Sequence, residues 1–141
     1  MTQRSKIITY TLVGGVVTFF LTPLLWTPSA DIQPTVLQLL FFIFLSVVES
    51  LLFGFGLWFM AEARPLLARA GTGARLTSWA YRAITWSLLS WWPHDNFHRA
   101  NGMNAQGLLY IEYGFHLTLI ISSIIIAAFF LSRLRPRSSP A

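Results

Sequence analysis

Four runs of apolar residues, 7–26, 36–61, 76–92 and 107–131, constrain this chain more than any other feature; segments rich in Pro, Gly, Asp, Asn or Arg separate them. A helix rises about 1.5 Å per residue, so roughly 20 residues cross a hydrocarbon layer about 30 Å thick, and longer runs tilt. The first, second and fourth runs meet that length. The charge-free part of the third, residues 83–92, covers only about 15 Å, so its crossing requires Arg82 to extend its guanidinium toward the headgroups. Composition agrees with lipid as the solvent. Only 11% of residues are charged and 55% are hydrophobic, with a mean hydropathy of +0.58, whereas a soluble protein is roughly a quarter charged. A chain of 141 residues has too much surface for its volume to hide so many apolar groups from water.

Charge placement sets the orientation. With four crossings and a cytoplasmic N-terminus, Arg4, Lys6, Arg64, Arg69, Arg75, Arg82, Arg133, Arg135 and Arg137 all lie inside, and only Arg99 lies outside. If the third run did not cross, the three tail arginines would move outside, against the bias of short loops. The expected fold is therefore an all-α integral membrane protein: a bundle of four transmembrane helices in the plasma (inner) membrane, both termini cytoplasmic. Residues 1–132 form a single domain, followed by a disordered basic tail at 133–141. The net charge of +5 is then topological, facing anionic headgroups. Nothing interleaves these charges with stacking aromatics, which argues against nucleic acid as a partner. Pro28, Ser29 and Ala30 resemble a weak processing site, but the preceding run is longer than a signal peptide's apolar region and is read as an uncleaved span. Zero cysteines exclude disulfides, thiolate metal ligands and a catalytic thiol.

Trp26, Trp91 and Trp92 fall at the outer ends of runs, and Trp79 and Tyr81 at an inner one, as interfacial aromatics do. Trp58 and Trp86 lie deeper and are expected inside the bundle or along a pocket. Small residues recur every four positions at Gly14, Thr18 and Thr22, and again at Ser46, Ser50 and Gly54. Such rows predict a tightly packed pair formed by the first two helices, with the hydroxyls bonded to their own helix carbonyls.

The ionisable residues inside the apolar runs carry whatever chemistry the chain has. In the fourth run Glu112 and His116 fall on one strip with Ala105, Leu119 and Ser123. Glu49 stands midway along the second run. By helix rise Glu49 and His116 lie about 20 and 14 Å from the outer starts of their runs, which predicts that they meet in the outer half of the bundle. Proline at 93 ends the third run and suits the first turn of a short interfacial helix. There His94 and His98, at i and i+4, share a face, and Asn101-Gly102 supplies the stop. All three histidines and Asp95 are thus aimed at one outward-facing region, while Asp31 and Glu62 stand without such company.

A carboxylate in hydrocarbon costs roughly 2.5–3.5 kcal/mol on insertion scales, so something offsets it. Mutual hydrogen bonding is the simplest answer: Glu112 to His116, and Glu49 to a Thr hydroxyl. A metal is the first functional reading, with His94, His98, His116 and Glu112 as ligands for zinc or non-haem iron. The histidine boxes of membrane desaturases are absent, and so is the E-x-x-H spacing of carboxylate-bridged bundles. A haem held by His116 and a loop histidine ranks lower, since only one histidine lies within a run. Acid/base chemistry by Glu112, His116 and Glu49 on a hydrophobic molecule, walled by Trp86, Trp91 and Phe97, is the second reading; a small transporter built as a homo-oligomer is its variant. The third is a non-catalytic scaffold whose small-residue rows bind another membrane protein. No Gly-rich phosphate loop, Ser/His/Asp constellation or H-E-x-x-H occurs.

Overall fold

The computed structural model describes residues 1–69 and 73–134, and among these no strand occurs. Helix α1 (Gln3–Leu25) starts at Thr2, whose side chain accepts from the Ser5 amide. Helix α2 (Val36–Glu62) opens with a capping box in which Thr35 and Gln38 satisfy each other's amides. A five-residue helix α3 (Arg64–Ala68) turns the chain into α4 (Ala74–Asn101). Then α5 (Ala105–Ile111), a π turn (Glu112–His116) and α6 (Leu117–Leu134) follow without a break. Helix thus extends through Arg133 and Leu134, the first residues of the expected tail; residues 135–141 lie outside the described residues.

Among the described residues three helical stretches are long and apolar enough to cross a membrane: Gln3–Leu25, Val36–Glu62 and Ala105–Leu134, with mean hydropathies of 1.8, 2.4 and 2.2. Helix α4 has 28 residues, about 42 Å of rise, but charges and histidines near both ends make it less apolar.

The expected interfacial helix beginning at Pro93 is not a separate element. Residues 93–101 are the last turns of α4, and Pro93 sits inside that helix. Proline costs the helix the single amide that would bond the carbonyl of Leu89. Around it Ser90, Trp92, His94 and Asn96 are all buried, so packing holds the helix across the proline. Asn96 also donates Nδ2–H to the Trp92 carbonyl at 2.7 Å. The stop at Gly102 is as expected: its amide bonds the His98 carbonyl at 3.0 Å and its φ is 54°.

The interior is mixed: Thr18, Glu49, Ser50, Ser90, His94, Asn96 and Ser122 are buried alongside Trp58, Trp92, Ile111 and Phe129, while Phe20, Leu24, Phe44, Ile120, Ile124 and Leu131 face outward. So apolar an exterior suits hydrocarbon solvent, where helix backbones satisfy themselves and association rests on close packing. The two small-residue rows do pack together. A Cβ on Gly54 would lie 2.6 Å from the Thr11 carbonyl oxygen and 2.7 Å from the Gly15 nitrogen, and one on Gly14 would lie 2.9 Å from Gly54 Cα. Thr18 and Thr22 bond their own helix, to the carbonyls of Gly14 and Thr18 at 2.6 and 3.1 Å.

Helix α2 in turn packs on α4, and α4 on α6. Lys6 pairs with Glu62 at 2.8 Å, and Tyr81 donates to the Met60 carbonyl. These contacts join the start of α1, the end of α2 and the first turns of α4. At the opposite end the Ser29 amide donates to the Arg99 carbonyl at 2.9 Å. Asp31 Oδ2 accepts from the Met103 amide at 2.9 Å, and the Ser29 hydroxyl donates to its other oxygen. Neither Asp31 nor Glu62 is therefore solitary: one clasps the α4–α5 turn and the other anchors Lys6.

Candidate metal centre

The last turns of α4 present two faces. At 100° per residue His94 and His98 share one, and Asp95 and Arg99 share the next. The first face looks at the start of α6, and there the π turn supplies the third histidine. In that turn the Leu117 amide reaches back to the Glu112 carbonyl, a widened geometry found often at functional positions. Glu112 Oε2 lies 2.7 Å from His116 Nδ1. A carboxylate there accepts from Nδ1–H, and in the neutral ring Nε2 is then the nitrogen with a lone pair to offer a ligand.

His116 Nε2 is directed at His94 Nε2, 2.7 Å away, and His98 Nε2 lies 3.2 Å from the same atom. One ligand nitrogen from each ring falls within a 4.8 Å group. Nitrogens around a tetrahedral zinc at about 2.0–2.1 Å would be roughly 3.3 Å apart; the His94–His98 pair is near that spacing, the His94–His116 pair is closer, and a group reaching 4.8 Å would have to draw in its widest pair around an ion. A shared proton can bridge one pair of these lone pairs and leaves the third nitrogen over; a cation satisfies all three. His94 is buried, with Nδ1 lacking a hydrogen-bond partner, whereas His116 is part exposed. Trp91 packs edge-on against His94 with ring centroids 5.7 Å apart, and Phe115 does so at 5.6 Å.

Of the four expected ligands, the three histidines converge. Glu112 is bonded to the far nitrogen of His116 instead of joining the Nε2 group. Glu49 does not meet His116, because α2 packs on the other face of α4. Its Oε2 lies 3.7 Å from Arg99, whose hydrogen bonds go instead to Asp95 Oδ2 at 2.8 Å and to the Ser46 hydroxyl at 2.7 Å. Arg99 further lies over the Phe42 ring, 5.6 Å from its centroid. The charge that sequence placed alone outside is thus the cation beside Glu49, although the buried Glu49 Oε2 keeps no hydrogen-bond partner. An acid and a basic residue on different helices at matching depth were the available signal; helix register decides whether they meet, and periodicity within one run does not carry it.

The aromatic expectations divide. Trp58 is buried. Trp86 is 38% exposed, donating to Thr118 Oγ1 at 2.9 Å and stacking on Phe115. Trp92, expected at the interface, is buried and donates to Thr22 Oγ1 at 2.9 Å, tying α4 to α1.

Fold and site together define a helical membrane-type protein with a three-histidine cluster at the junction of α4 and α6. Compared with protein-family models, with curated proteins and with solved structures, the chain finds no match.

Proposed function

We propose that this protein is a four-span membrane protein with both termini in the cytoplasm that binds a transition-metal ion, zinc foremost, on Nε2 of His94, His98 and His116. The convergence of these three nitrogens carries the reading. Helix α4 counts as the fourth crossing because α2 and α6 cover two of its sides, so it needs fewer apolar residues than a helix surrounded by lipid. The alternating directions of α1, α2, α4 and α6 then put both ends of the chain on the side of the loop arginines, as the charge bias requires.

Three histidines with a fourth position open make the ligand set of catalytic zinc, where the metal polarises an oxygen or lowers the pKa of a bound water. Iron of the two-histidine, one-carboxylate kind is less well matched, because Glu112 is turned to Nδ1. Glu112 is a positioning residue in this scheme: it orients the His116 ring and raises its basicity. Glu49, with Asp95 and Arg99, braces α4 against α2.

Metal analysis of the purified full-length protein tests this. The expected result is one equivalent of zinc in the wild type and loss of it in His98→Ala, with both proteins retaining helical circular dichroism. Absence of stoichiometric metal after zinc reconstitution would overturn it. That outcome would favour a metal-free reading, in which the imidazole contacts at 2.7 and 3.2 Å form a bracing polar network within a scaffold subunit.

A further inference from the structure

A groove of about 700 Å³ runs down the contact of α4 and α6 from His116. It is lined by the small side chains of Ser87 on α4 and Ser123 and Ala127 on α6, and by Trp91 and Ile120 among others. Residues 116, 120, 123 and 127 share one face of α6, and from His116 to Ala127 that face extends about 16 Å. The lining is almost wholly apolar. Beside it Leu117 and Ile121 are exposed, and so are the lining residues Ile120 and Ile124, so the groove opens sideways into the region the membrane's hydrocarbon would fill.

We infer that this groove seats one long acyl chain whose terminal oxygen-bearing group reaches the metal at His116; the inference rests on the metal reading above. The two ends of the groove ask for opposite chemistry, and one class of molecule supplies both. A cation with an open position takes an oxygen donor, such as a carboxylate or an ester carbonyl. A furrow lined mainly by Trp91, Leu119, Ile120, Ile124 and Ala127, with only the Ser87 and Ser123 hydroxyls among them, takes saturated hydrocarbon. Small residues at 87, 123 and 127 are what keep the furrow open; a bulky side chain at any of them would fill it. A water-soluble substrate would leave this apolar length unused.

The test uses the full chain in amphipol, loaded with cobalt(II) in place of zinc, whose visible bands report a new oxygen ligand. Dodecanoate is expected to shift those bands at a concentration at least tenfold below acetate, which has the head and no chain. Ala127→Phe and Ser123→Phe are expected to retain one cobalt and its unliganded spectrum while requiring at least tenfold more dodecanoate. A lauroyl lysophospholipid run in parallel separates the two sources of the head: a shift with it assigns the ester lipid, a shift with dodecanoate alone the free acid. Equal potency of acetate and dodecanoate, or unchanged dodecanoate response in both filled variants, would overturn the acyl-chain assignment. A metal-independent arm keeps the two readings apart. Bromine-labelled dodecanoate should quench tryptophan emission saturably, and Trp91→Phe should remove that component. Quenching without any metal uptake would refute the metal centre and the head-to-metal contact while retaining the groove; metal uptake without quenching would refute the groove alone.

Discussion

At the scale of single residues, the decisive fact is which nitrogen each partner holds. Glu112 occupies Nδ1 of His116 at 2.7 Å, so its removal should weaken the metal without abolishing it. Glu112→Gln is expected to lower zinc affinity by roughly 10–100-fold, the usual cost of losing a carboxylate behind a ligand histidine, and competition with a chromophoric chelator measures it. Asp31 shows how an exposed acid earns a structural role. The Ser29 hydroxyl, followed by the Met103 amide, holds its carboxyl below the ordinary pKa. A lowered folded-state value means that the clasp's stabilising contribution is present above the ordinary carboxylate pKa of about 3.9 and is lost as pH falls through the lowered one. Protection of the Met103 amide, its exchange rate relative to the intrinsic rate at the same pH, should therefore fall as pH drops through the lowered value, and Asp31→Asn should lack that acid-dependent loss. The same clasp explains Gly102. Its φ is 54°, and a Cβ would run into the Asp31 carboxylate.

Among elements, the pairing of α1 with α2 and the continuity of α4 are the two features that build the site. Gly54 lets the helix backbones touch, and any side chain there meets carbonyl oxygens of Thr11 and Tyr10. Gly54→Leu is expected to separate α1 from α2 and to destabilise the protein by at least about 1–3 kcal/mol, the usual range for overpacking; thermal unfolding in detergent should show a lowered Tm. The α1–α2 pair was legible in the sequence because small residues every four positions have a physical meaning that needs no partner to be known. The fate of Pro93 was not. A proline starts a helix or interrupts one with the same side chain, and only the burial of Ser90, Trp92, His94 and Asn96 decides that α4 continues through it. That continuity puts His94 and His98 on the same rigid rod that packs against α6.

For the molecule as a whole, the test is sidedness. The chain has no cysteine, so single cysteines can be placed on an otherwise unreactive background. Introduced at Pro28 and at Met103, they should react with an impermeant maleimide from the non-cytoplasmic side; introduced at Arg69, the cysteine should react only after the membrane is permeabilised. Labelling of positions 28 and 103 from opposite sides would remove the fourth crossing. The contacts between Ser29 and Arg99 and between Asp31 and Met103 require those two loops to share a side.

What the sequence determined by itself is the solvent and the helices. Long apolar runs, scarce charge and arginine placement are properties of composition along a line, and hydrocarbon acts on that line directly through the cost of an unsatisfied backbone. It also identified His94, His98, His116 and Glu112 as the groups to watch, since i, i+4 spacing is a local matter. Tertiary structure alone decided how they divide. The register of α2, α4 and α6 and the π turn before α6 set the three Nε2 atoms together, turned Glu112 to the outer nitrogen, and gave Glu49 to Arg99. Register between helices depends on which side chains interlock across an interface, and no periodicity within a single run contains that information.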